Sequence, residues 1–336
     1  MLIPRRETSR TRIFRYRDGD DTPREVEDAL ASEEPMEIRV TYHPGSLTRS
    51  IGSPSRSDSP RRVATQPGTD TRSVAVTMRT PGDDFELAVG FLYTEGLIDS
   101  PRQVSKISYC SGDEPQEYNL VEVRLRPGAS FDPSQLSRNF YMTSSCGICG
   151  KASLDAVENL GCEPFPAQPE GEGMRVSPAV IRELPDRLRE SQPVFGRTGG
   201  LHAAGLFDVD GELRVIREDV GRHNAVDKLI GHEFLERRTP LADRILCVSG
   251  RASFEILQKA VMGGIPFIVA VGAPSSLAVE FARRFRMTLV GFARAGGFNL
   301  YSGQERVGAP GRTGASEPTD APPPTPDLTT PTSEAP

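Results

Sequence analysis

An alternation of strands and helices in the C-terminal half restricts the fold more than any other feature of this sequence. Apolar runs predict strands at residues 245–249, 266–272 and 288–292, and apolar residues at helical spacing predict helices at 253–262 and 275–285 between them. Such strand-helix-strand repeats form parallel sheets with right-handed crossovers. Ligands of these sheets bind beyond the carboxyl ends of the strands, so the turns at that edge are candidate sites.

Three further elements precede this repeat. Asp210-Gly211 separates two strand-like runs, at 203–209 and 212–217, and this dipeptide is a strong hairpin signal. Ser177-Pro178 places an N-cap before a proline at the first helical position, which predicts a helix to about residue 188. A second helix is expected at 222–235. Together with the repeat, these elements predict an α/β domain, which we place at 146–302.

The N-terminal half is predicted to form a smaller, β-rich part at residues 36–145. Its expected strands lie at 37–42, 73–79, 104–109 and 118–125, around one helix at 85–96. Three segments are expected to lack regular structure: a loosely ordered lead-in at 1–35, a mobile insertion at 44–71, and a disordered Pro/Thr-rich tail at 303–336.

Composition narrows the classes of function. The chain has 336 residues, 26% of them charged, and a net charge of -6, which argues against a general binder of nucleic acid or anionic membranes. No run of 18 apolar residues occurs, so neither a transmembrane helix nor a signal peptide is expected. Five cysteines do not suggest a disulfide framework. We therefore expect a cytoplasmic protein with reduced thiols.

The most reactive chemistry lies in the segment SSCGICGK at 144–151, which carries Cys146 and Cys149. The ammonium group of Lys151 and the start of a predicted helix at 151–160 would both lower the pKa of a nearby thiol. The glycines in the segment give its backbone freedom to bend. This pattern favours a loop with an exposed, nucleophilic thiolate that could serve two partners in turn.

Two other interpretations of this cysteine pair stay open. A structural zinc site needs about four ligands, but the remaining cysteines, Cys110, Cys162 and Cys247, occur singly. A thioredoxin-like redox pair would follow a buried strand, and residues 127–143 do not have the pattern of one. The reactive loop is therefore the favoured interpretation, with no structural metal expected.

Three turns at the expected ligand edge of the sheet favour an anion. The turns at 248–253 and 271–276 consist of small residues and lead into helix N-termini, where backbone N–H groups attract phosphate. The third turn, at 291–297, contains glycines and Arg294. None matches GxxxxGK[ST] or GxGxxG, and each alone could be an ordinary tight turn. Together they predict a site for a phosphate-bearing ligand.

His202 and His223 lie among polar residues and could be either structural or functional. The motif at His202 invites comparison with the HxE signature of zinc deaminases, but Ala204 stands in place of the glutamate. Residues 249–253 likewise contain no cysteine pair, so the zinc-binding set of those enzymes is missing.

With these segments assembled, the sequence closely resembles the formate dehydrogenase accessory sulfurtransferase family. The resemblance runs from about residue 35 to 302 and includes PGDDFELAVGFLYTEGLI, SSCGICGK, TGGLHAAGLF, EDVGRHNAVDKLIG, SGRASFEILQKA, GGIPFIVAVGAPSSLAVE and LVGFARAGGFN. It implies a cytidine deaminase-like α/β fold, a three-layer sandwich, with a smaller N-terminal part, and a homodimer. The insertion at 44–71 and the tail after Tyr301 depart from the family pattern but touch no motif.

The resemblance also implies a function and its residues. Members of the family receive sulfur from a cysteine desulfurase and pass it to the molybdenum bis(molybdopterin guanine dinucleotide) cofactor, which is then inserted into formate dehydrogenase. On matching positions, Cys146 is the persulfide cysteine and Cys149 its partner. The cofactor-binding segment corresponds to Phe292, Ala293, Arg294, Ala295, Gly296 and Gly297. For guanine recognition, Asp219 and Asp227 are only candidates.

Two other classes of function stay open on the sequence alone. One is a carrier that binds the molybdenum cofactor and docks it onto the dehydrogenase without sulfur transfer. The other is a dithiol oxidoreductase that uses the cysteine pair for redox exchange.

Overall fold

The structure is a computed structural model and describes residues 6–19, 21–44, 68–109, 119–132, 162–168 and 173–308. Within these ranges its strands are β1 (Thr8–Arg15), β2 (Arg24–Ala31), β3 (Glu34–Tyr42), β4 (Asp70–Arg79), β5 (Val104–Tyr109), β6 (Leu120–Leu125), β7 (His202–Phe207), β8 (Leu213–Asp219), β9 (Ile245–Val248), β10 (Phe267–Ala270), β11 (Thr288–Arg294) and β12 (Gly297–Ser302). The α-helices are α1 (Asp84–Thr94), α2 (Pro178–Glu190), α3 (Pro193–Thr198), α4 (Arg222–Leu235), α5 (Phe254–Met262) and α6 (Ser276–Arg284).

The C-terminal part is built on a six-stranded sheet in the order β12-β11-β10-β9-β7-β8. The three strands of the predicted repeat, β9, β10 and β11, run parallel, which confirms the prediction. The remaining pairings are antiparallel. Hairpins join β7 to β8, through Asp210-Gly211, and β11 to β12, and β7 also runs antiparallel to β9. The sheet is therefore mixed, with a parallel centre.

Helices cover both faces of this sheet. β9 and β10 are buried along their whole length, as expected for strands with apolar residues on both faces. α4, α5 and α6 pack on one face through residues such as Leu229, Leu257 and Phe281, and α2 packs on the other through Ile181 and Leu188. The result is a mixed α/β architecture, and the more specific cytidine deaminase-like fold stays a prediction.

The N-terminal part is a four-stranded sheet in the order β4-β3-β6-β5, against which α1 packs. Its core includes Met36, Ile38, Leu92 and Val123, and the α4 residue Phe234 belongs to the same cluster. α1 and α4 cross in close contact and join this sheet to the C-terminal part. Among the described helices, none is long and apolar enough to cross a membrane.

The lead-in at 1–35 is more ordered than the sequence suggested. β1 and β2 pair as an antiparallel hairpin over their full length, and β3 begins at Glu34. Few apolar residues support this hairpin, but opposite charges form ion pairs across it, such as the diagonal pair Arg10–Glu27. Such cross-strand pairs stabilise a ladder without a hydrophobic pattern, so the prediction of a loosely ordered segment is wrong for residues 8–31.

Two other predicted boundaries also shift. β4 begins at Asp70, inside the predicted insertion 44–71. The chain remains ordered past 302, because a 3-10 turn at Gln304–Arg306 follows β12 and Val307 pairs with Val176. Residues 45–67 and 309–336 lie outside the described part of the chain.

Candidate functional site

A cleft of about 520 Å³ opens at the carboxyl edge of the six-stranded sheet, a volume typical of small-molecule sites. The start of β7, the residues that follow β9 and β10, and the end of β11 line one side of the cleft. The second half of α2, the start of α3 and the loop before β7 line the other. The polar and charged lining residues are Asp186, Arg189, Gln192, His202, Ser249 and Arg294.

The predicted cofactor-binding segment at 292–297 has a different local structure from the loop expected. β11 continues to Arg294 and β12 starts at Gly297, so only Ala295 and Gly296 lie in the turn between them. Arg294 is paired with Gly297 across this hairpin. The sequence did not indicate β12, because its residues look like part of a glycine-rich turn until their pairing with β11 is known.

Within this segment, Ala293 and Arg294 line the cleft. Phe292 is 46% exposed and has a positive φ of 54°, which is unusual for a residue with a bulky side chain. Its N–H donates to the carbonyl oxygen of Gly272 at 3.1 Å. The structure therefore brings part of the predicted segment to the cleft, and the assignment of the whole segment to a cofactor stays a prediction.

The other two predicted anion-binding turns lie next to each other and to β11. The N–H of Gly272 donates to Gly250 O at 2.9 Å, and the N–H of Ser275 donates to Ala252 O at 3.0 Å. These two amides are therefore engaged within the protein and are not available to a phosphate. From these turns, only Ser249 and Val271 line the cleft, so arginine side chains are its main source of positive charge.

The two histidines have different surroundings. His202 lines the cleft, and its ring lies against Gly250, since a Cβ built there would be 3.4 Å from Nδ1. Burial, helped by Arg222, lowers the pKa of His202 below its usual value, so its ring is neutral near pH 7. His223 lies instead in a second cavity of about 350 Å³ between the two parts of the protein. Its Nε2 is 3.3 Å from Ser253 Oγ.

Asp219 and Asp227, the carboxylates that the sequence offered for guanine recognition, do not line the cleft. Asp219 is fully buried and forms an ion pair with Lys228 at 2.8 Å. Asp227 is also buried, 3.0 Å from Lys259 Nζ, and it accepts a hydrogen bond from Thr94 Oγ1 at 2.7 Å. Both carboxylates are thus engaged by buried ammonium groups, Asp227 at the edge of the second cavity, and their role in guanine recognition stays a prediction. The sequence could not show that both carboxylates face the protein interior at the junction of α1 and α4.

Comparison with known proteins identifies the family. The model of the FdhD/NarQ family matches residues 67–308 of the chain. The chain belongs to the FdhD/NarQ family. This confirms the resemblance that the sequence motifs indicated.

Members of the FdhD/NarQ family with curated names match almost the whole chain. Sulfur carrier protein FdhD of Streptomyces coelicolor is 48% identical over 305 residues, which cover 90% of this chain and 96% of that protein. The protein of the same name from Mycobacterium tuberculosis is 45% identical and covers 83% of this chain and 92% of its own length. That from Sulfurisphaera tokodaii is 41% identical and covers 90% and 99%.

A solved structure with a similar fold supports this assignment of the architecture. A protein from Desulfotalea psychrophila, described as a formate dehydrogenase accessory protein, matches with a TM-score of 0.61 and 24% identity. The match covers 90% of this chain and 100% of that chain. At this identity the likeness concerns the fold alone.

The cysteine pair shared with the motif of the FdhD/NarQ family, Cys146 and Cys149, lies outside the described residues. The two described cysteines are poorly suited to nucleophilic chemistry. Burial raises the pKa of the Cys162 thiol, and complete burial raises that of Cys247 much further. In the described part of the chain, no group of three or more His, Cys, Asp or Glu residues is arranged to hold a metal ion.

No pattern in the sequence indicated that α2 and α3 would line the cleft. Asp186 and Arg189 lie three residues apart on α2, and the spacing puts them on the same face of the helix. The guanidinium Cζ of Arg189 lies 3.7 Å from the centre of the Phe195 ring on α3. Isolated charged residues near a helix end are usually solvated surface, so only the packing of α2 over the sheet identifies them as cleft residues.

Proposed function

We propose that this protein is a sulfurtransferase that carries sulfur as a persulfide on Cys146 and delivers it to the molybdenum bis(molybdopterin guanine dinucleotide) cofactor. Three observations support the proposal. The relatives that match nearly the full chain are named sulfur carrier proteins, the sequence carries a glycine-flanked CxxC segment, and the fold has a nucleotide-sized cleft at the expected ligand edge.

The cleft is the observation that carries the cofactor part of the proposal. Arg189 and Arg294 line it, and neither makes an ion pair with a described acidic residue. An arginine without an acidic partner, such as Arg294, is well suited to pyrophosphate because the guanidinium fork donates two hydrogen bonds to one phosphate. A ligand with a guanine dinucleotide thus matches the volume and the charge of the cleft.

The proposed sulfur uptake is an exchange between a thiolate and a persulfide. The Cys146 thiolate attacks the terminal sulfur of a persulfide on a cysteine desulfurase, a new S–S bond forms on Cys146, and the thiolate of the desulfurase cysteine leaves. In delivery to the cofactor, the Cys149 thiolate attacks Cys146 Sγ and the terminal sulfur leaves as sulfide. The two electrons that sulfide requires come from the two thiols, which end as a disulfide.

The partners and setting follow from this proposal. A cysteine desulfurase would supply the sulfur, and formate dehydrogenase would receive the sulfurated cofactor. A homodimer agrees with the family resemblance, and we propose that it acts in the cytoplasm. The proposed reaction involves no nucleic acid.

Transfer of labelled sulfur tests the proposal. The purified protein is incubated with a cysteine desulfurase and sulfur-labelled cysteine, and intact mass is then measured. We expect one added sulfur on the wild type and on Cys149→Ala, and none on Cys146→Ala. Cys162→Ser, which changes a described cysteine that lies 3.0 Å from Met262 Sδ, serves as the control and should keep the label.

The outcomes separate the alternatives. Labelling that persists in Cys146→Ala contradicts the persulfide assignment. Cofactor binding without any labelling of the wild type would favour a carrier that does not transfer sulfur, and efficient reduction of insulin disulfides would favour a dithiol oxidoreductase. For the cleft, calorimetry with GDP should show binding that Arg294→Ala weakens about tenfold or more, since one charge-assisted contact to phosphate is lost.

A further inference from the structure

The cleft contains a carboxylate that phosphate binding does not explain. Asp186 lines the cleft on the exposed side of α2, and it makes no hydrogen bond or ion pair with any described residue. A carboxylate close to a pyrophosphate would repel it. If the cleft binds a nucleotide, Asp186 is better suited to contact a part of the ligand other than its phosphates.

The strand order separates the two ends of the cleft. Arg294 is on β11, whereas the C-terminal half of α2 lies over β7, since a Cβ built on Gly205 would be 2.7 Å from Leu188 Cδ1. The sheet order is β11-β10-β9-β7, so three strand spacings, about 14 Å in total, separate these two ends. This is comparable to the length of an extended nucleoside diphosphate, which could place its phosphates at Arg294 and its base beside α2.

The α2–α3 corner has the features of a base-binding site. Arg189 stacks on the Phe195 ring at 3.7 Å, and this pair forms a flat surface on which a base can stack. Gln192, which is buried at the same corner, has a side-chain Nε2 without a hydrogen-bond acceptor among the described residues. The corner thus combines a stacking surface with polar groups that the protein itself does not satisfy.

We propose that Asp186 is the guanine-reading residue of the cleft and that Arg189 and Phe195 support the base. A carboxylate accepts two parallel hydrogen bonds from the N1–H and the 2-amino group of guanine. Adenine presents an acceptor at N1 and cannot make this pair, and hypoxanthine lacks the 2-amino group. This inference rests on the proposed function, because it assumes that the cleft binds the guanine nucleotide of the cofactor.

Calorimetry on the full chain with GDP, IDP, ADP and inorganic pyrophosphate tests the inference. The wild type should bind GDP about tenfold more tightly than IDP, since one charge-assisted hydrogen bond is lost, and should bind ADP more weakly still. Asp186→Asn should lower the affinity for GDP to about the affinity for IDP and leave the affinity for pyrophosphate unchanged. Glu190→Gln, which removes the same charge from the same helix outside the cleft lining, should retain the GDP preference.

The outcomes distinguish this inference from the function on which it rests. Asp186→Asn with an intact preference for GDP over IDP overturns the role of Asp186 and leaves the cofactor cleft in place. A wild type that binds GDP, IDP and ADP equally overturns base reading at this corner. A wild type that binds neither GDP nor pyrophosphate overturns the cofactor cleft itself. Arg294→Ala should weaken the binding of all four ligands by a similar factor, which would confirm that the phosphates bind at Arg294 and the base binds beside α2.

Discussion

At the scale of single residues, buried ion pairs define the junction between the two parts of the protein. Lys228 and Asp219 are at most 2% exposed and lie 2.8 Å apart. Lys228 Nζ also donates to Thr80 O at 2.9 Å, and Asp219 accepts from the Thr80 N–H at 3.1 Å. The pair therefore ties α4 and β8 to the residues that precede α1.

Removal of one member of this ion pair should strongly destabilise the folded protein. Lys228→Met leaves the Asp219 carboxylate buried without a cation, and we expect it to lower the free energy of unfolding by about 3–5 kcal/mol. Urea denaturation measures the loss. Arg10→Met breaks an ion pair whose side chains are 80% and 65% exposed, and it should cost less than about 1 kcal/mol. Equal effects of the two substitutions would contradict the structural role of Lys228.

His223 should make the protein sensitive to acid. Burial, together with Arg222 and Lys259, lowers the pKa of His223 to about 4, against the opposing effect of Glu255 and Glu95. In the unfolded chain the pKa is about 6.5, so the unfolded state binds the proton between these values. Stability that is present above pH 6.5 is therefore lost as the pH falls toward 4.

A non-titrating variant isolates this contribution. Between pH 7.5 and pH 5, we expect His223→Asn to lose less free energy of unfolding than the wild type, by about 1 kcal/mol after a discount for partial exposure of the ring. Burial also raises the pKa of nearby Asp227 to about 6, so protonation of Asp227 stabilises the folded state as the pH falls, opposite to the effect of His223. Because Asp227 is present in both the wild type and His223→Asn, the difference between the two proteins reports on His223. Identical pH dependence in the two would contradict the prediction.

At the scale of elements, the crossing of α1 and α4 depends on two glycines. A Cβ built on Gly90 would lie 1.9 Å from Asp227 O, and one on Gly231 would lie 1.9 Å from Glu86 O. The two helix backbones are thus in direct contact. This contact lets the core of the N-terminal sheet include Phe234 from α4, so the two halves of the chain share a packed boundary.

Alanine at the crossing should separate the helices. Gly231→Ala improves helix propensity by about 1 kcal/mol, but the clash with backbone is larger, and we expect a net loss of about 2 kcal/mol or more in the free energy of unfolding. Gly196→Ala in α3 is the matched control because no atom lies within 4 Å of the added Cβ. Thermal and urea denaturation of both variants should show a loss only for Gly231→Ala, and a stable Gly231→Ala protein would contradict the close crossing.

At the scale of the whole molecule, regular structure continues further along the chain than the composition suggested, to residues 304–308. Arg306 is 1% exposed, and its Nη1 donates to Arg286 O at 2.9 Å. Arg306 O accepts from the Val176 N–H at 2.9 Å, and the Gly308 N–H donates to Val176 O at 3.0 Å. These hydrogen bonds therefore hold Val176, which lies just before α2, against the segment after β12. α2 in turn forms one side of the cleft.

Two truncations test how much the segment at 303–308 contributes to stability. A chain that ends at Gly308 should unfold at the wild-type temperature, since the removed residues have almost no large apolar side chains. A chain that ends at Ser302 loses the three hydrogen bonds of Arg306 and Gly308, at roughly 1 kcal/mol each, and should melt at a lower temperature. Equal melting temperatures for the two truncations would show that the contacts of Arg306 do not contribute to stability.

Local patterns in the sequence determined much of the fold. The strands β9, β10 and β11, the Asp210-Gly211 hairpin and the Ser177-Pro178 helix start are all confirmed, because apolar runs, turn dipeptides and N-caps act within a few residues. The family was also evident from ordered motifs. The carboxyl edge of the parallel strands was indicated as the ligand edge, and the cleft lies there.

Only the tertiary structure decided which polar side chains face the cleft. Asp219 lies at the end of β8 and Asp186 lies on α2, yet the first carboxylate is buried against Lys228 and the second lines the cleft. The β1–β2 hairpin likewise depends on pairing between residues up to 23 positions apart, such as Thr8 and Ala31. Contacts between segments far apart in the chain determine which of these side chains are buried and which strands pair. A local sequence pattern does not specify those distant partners.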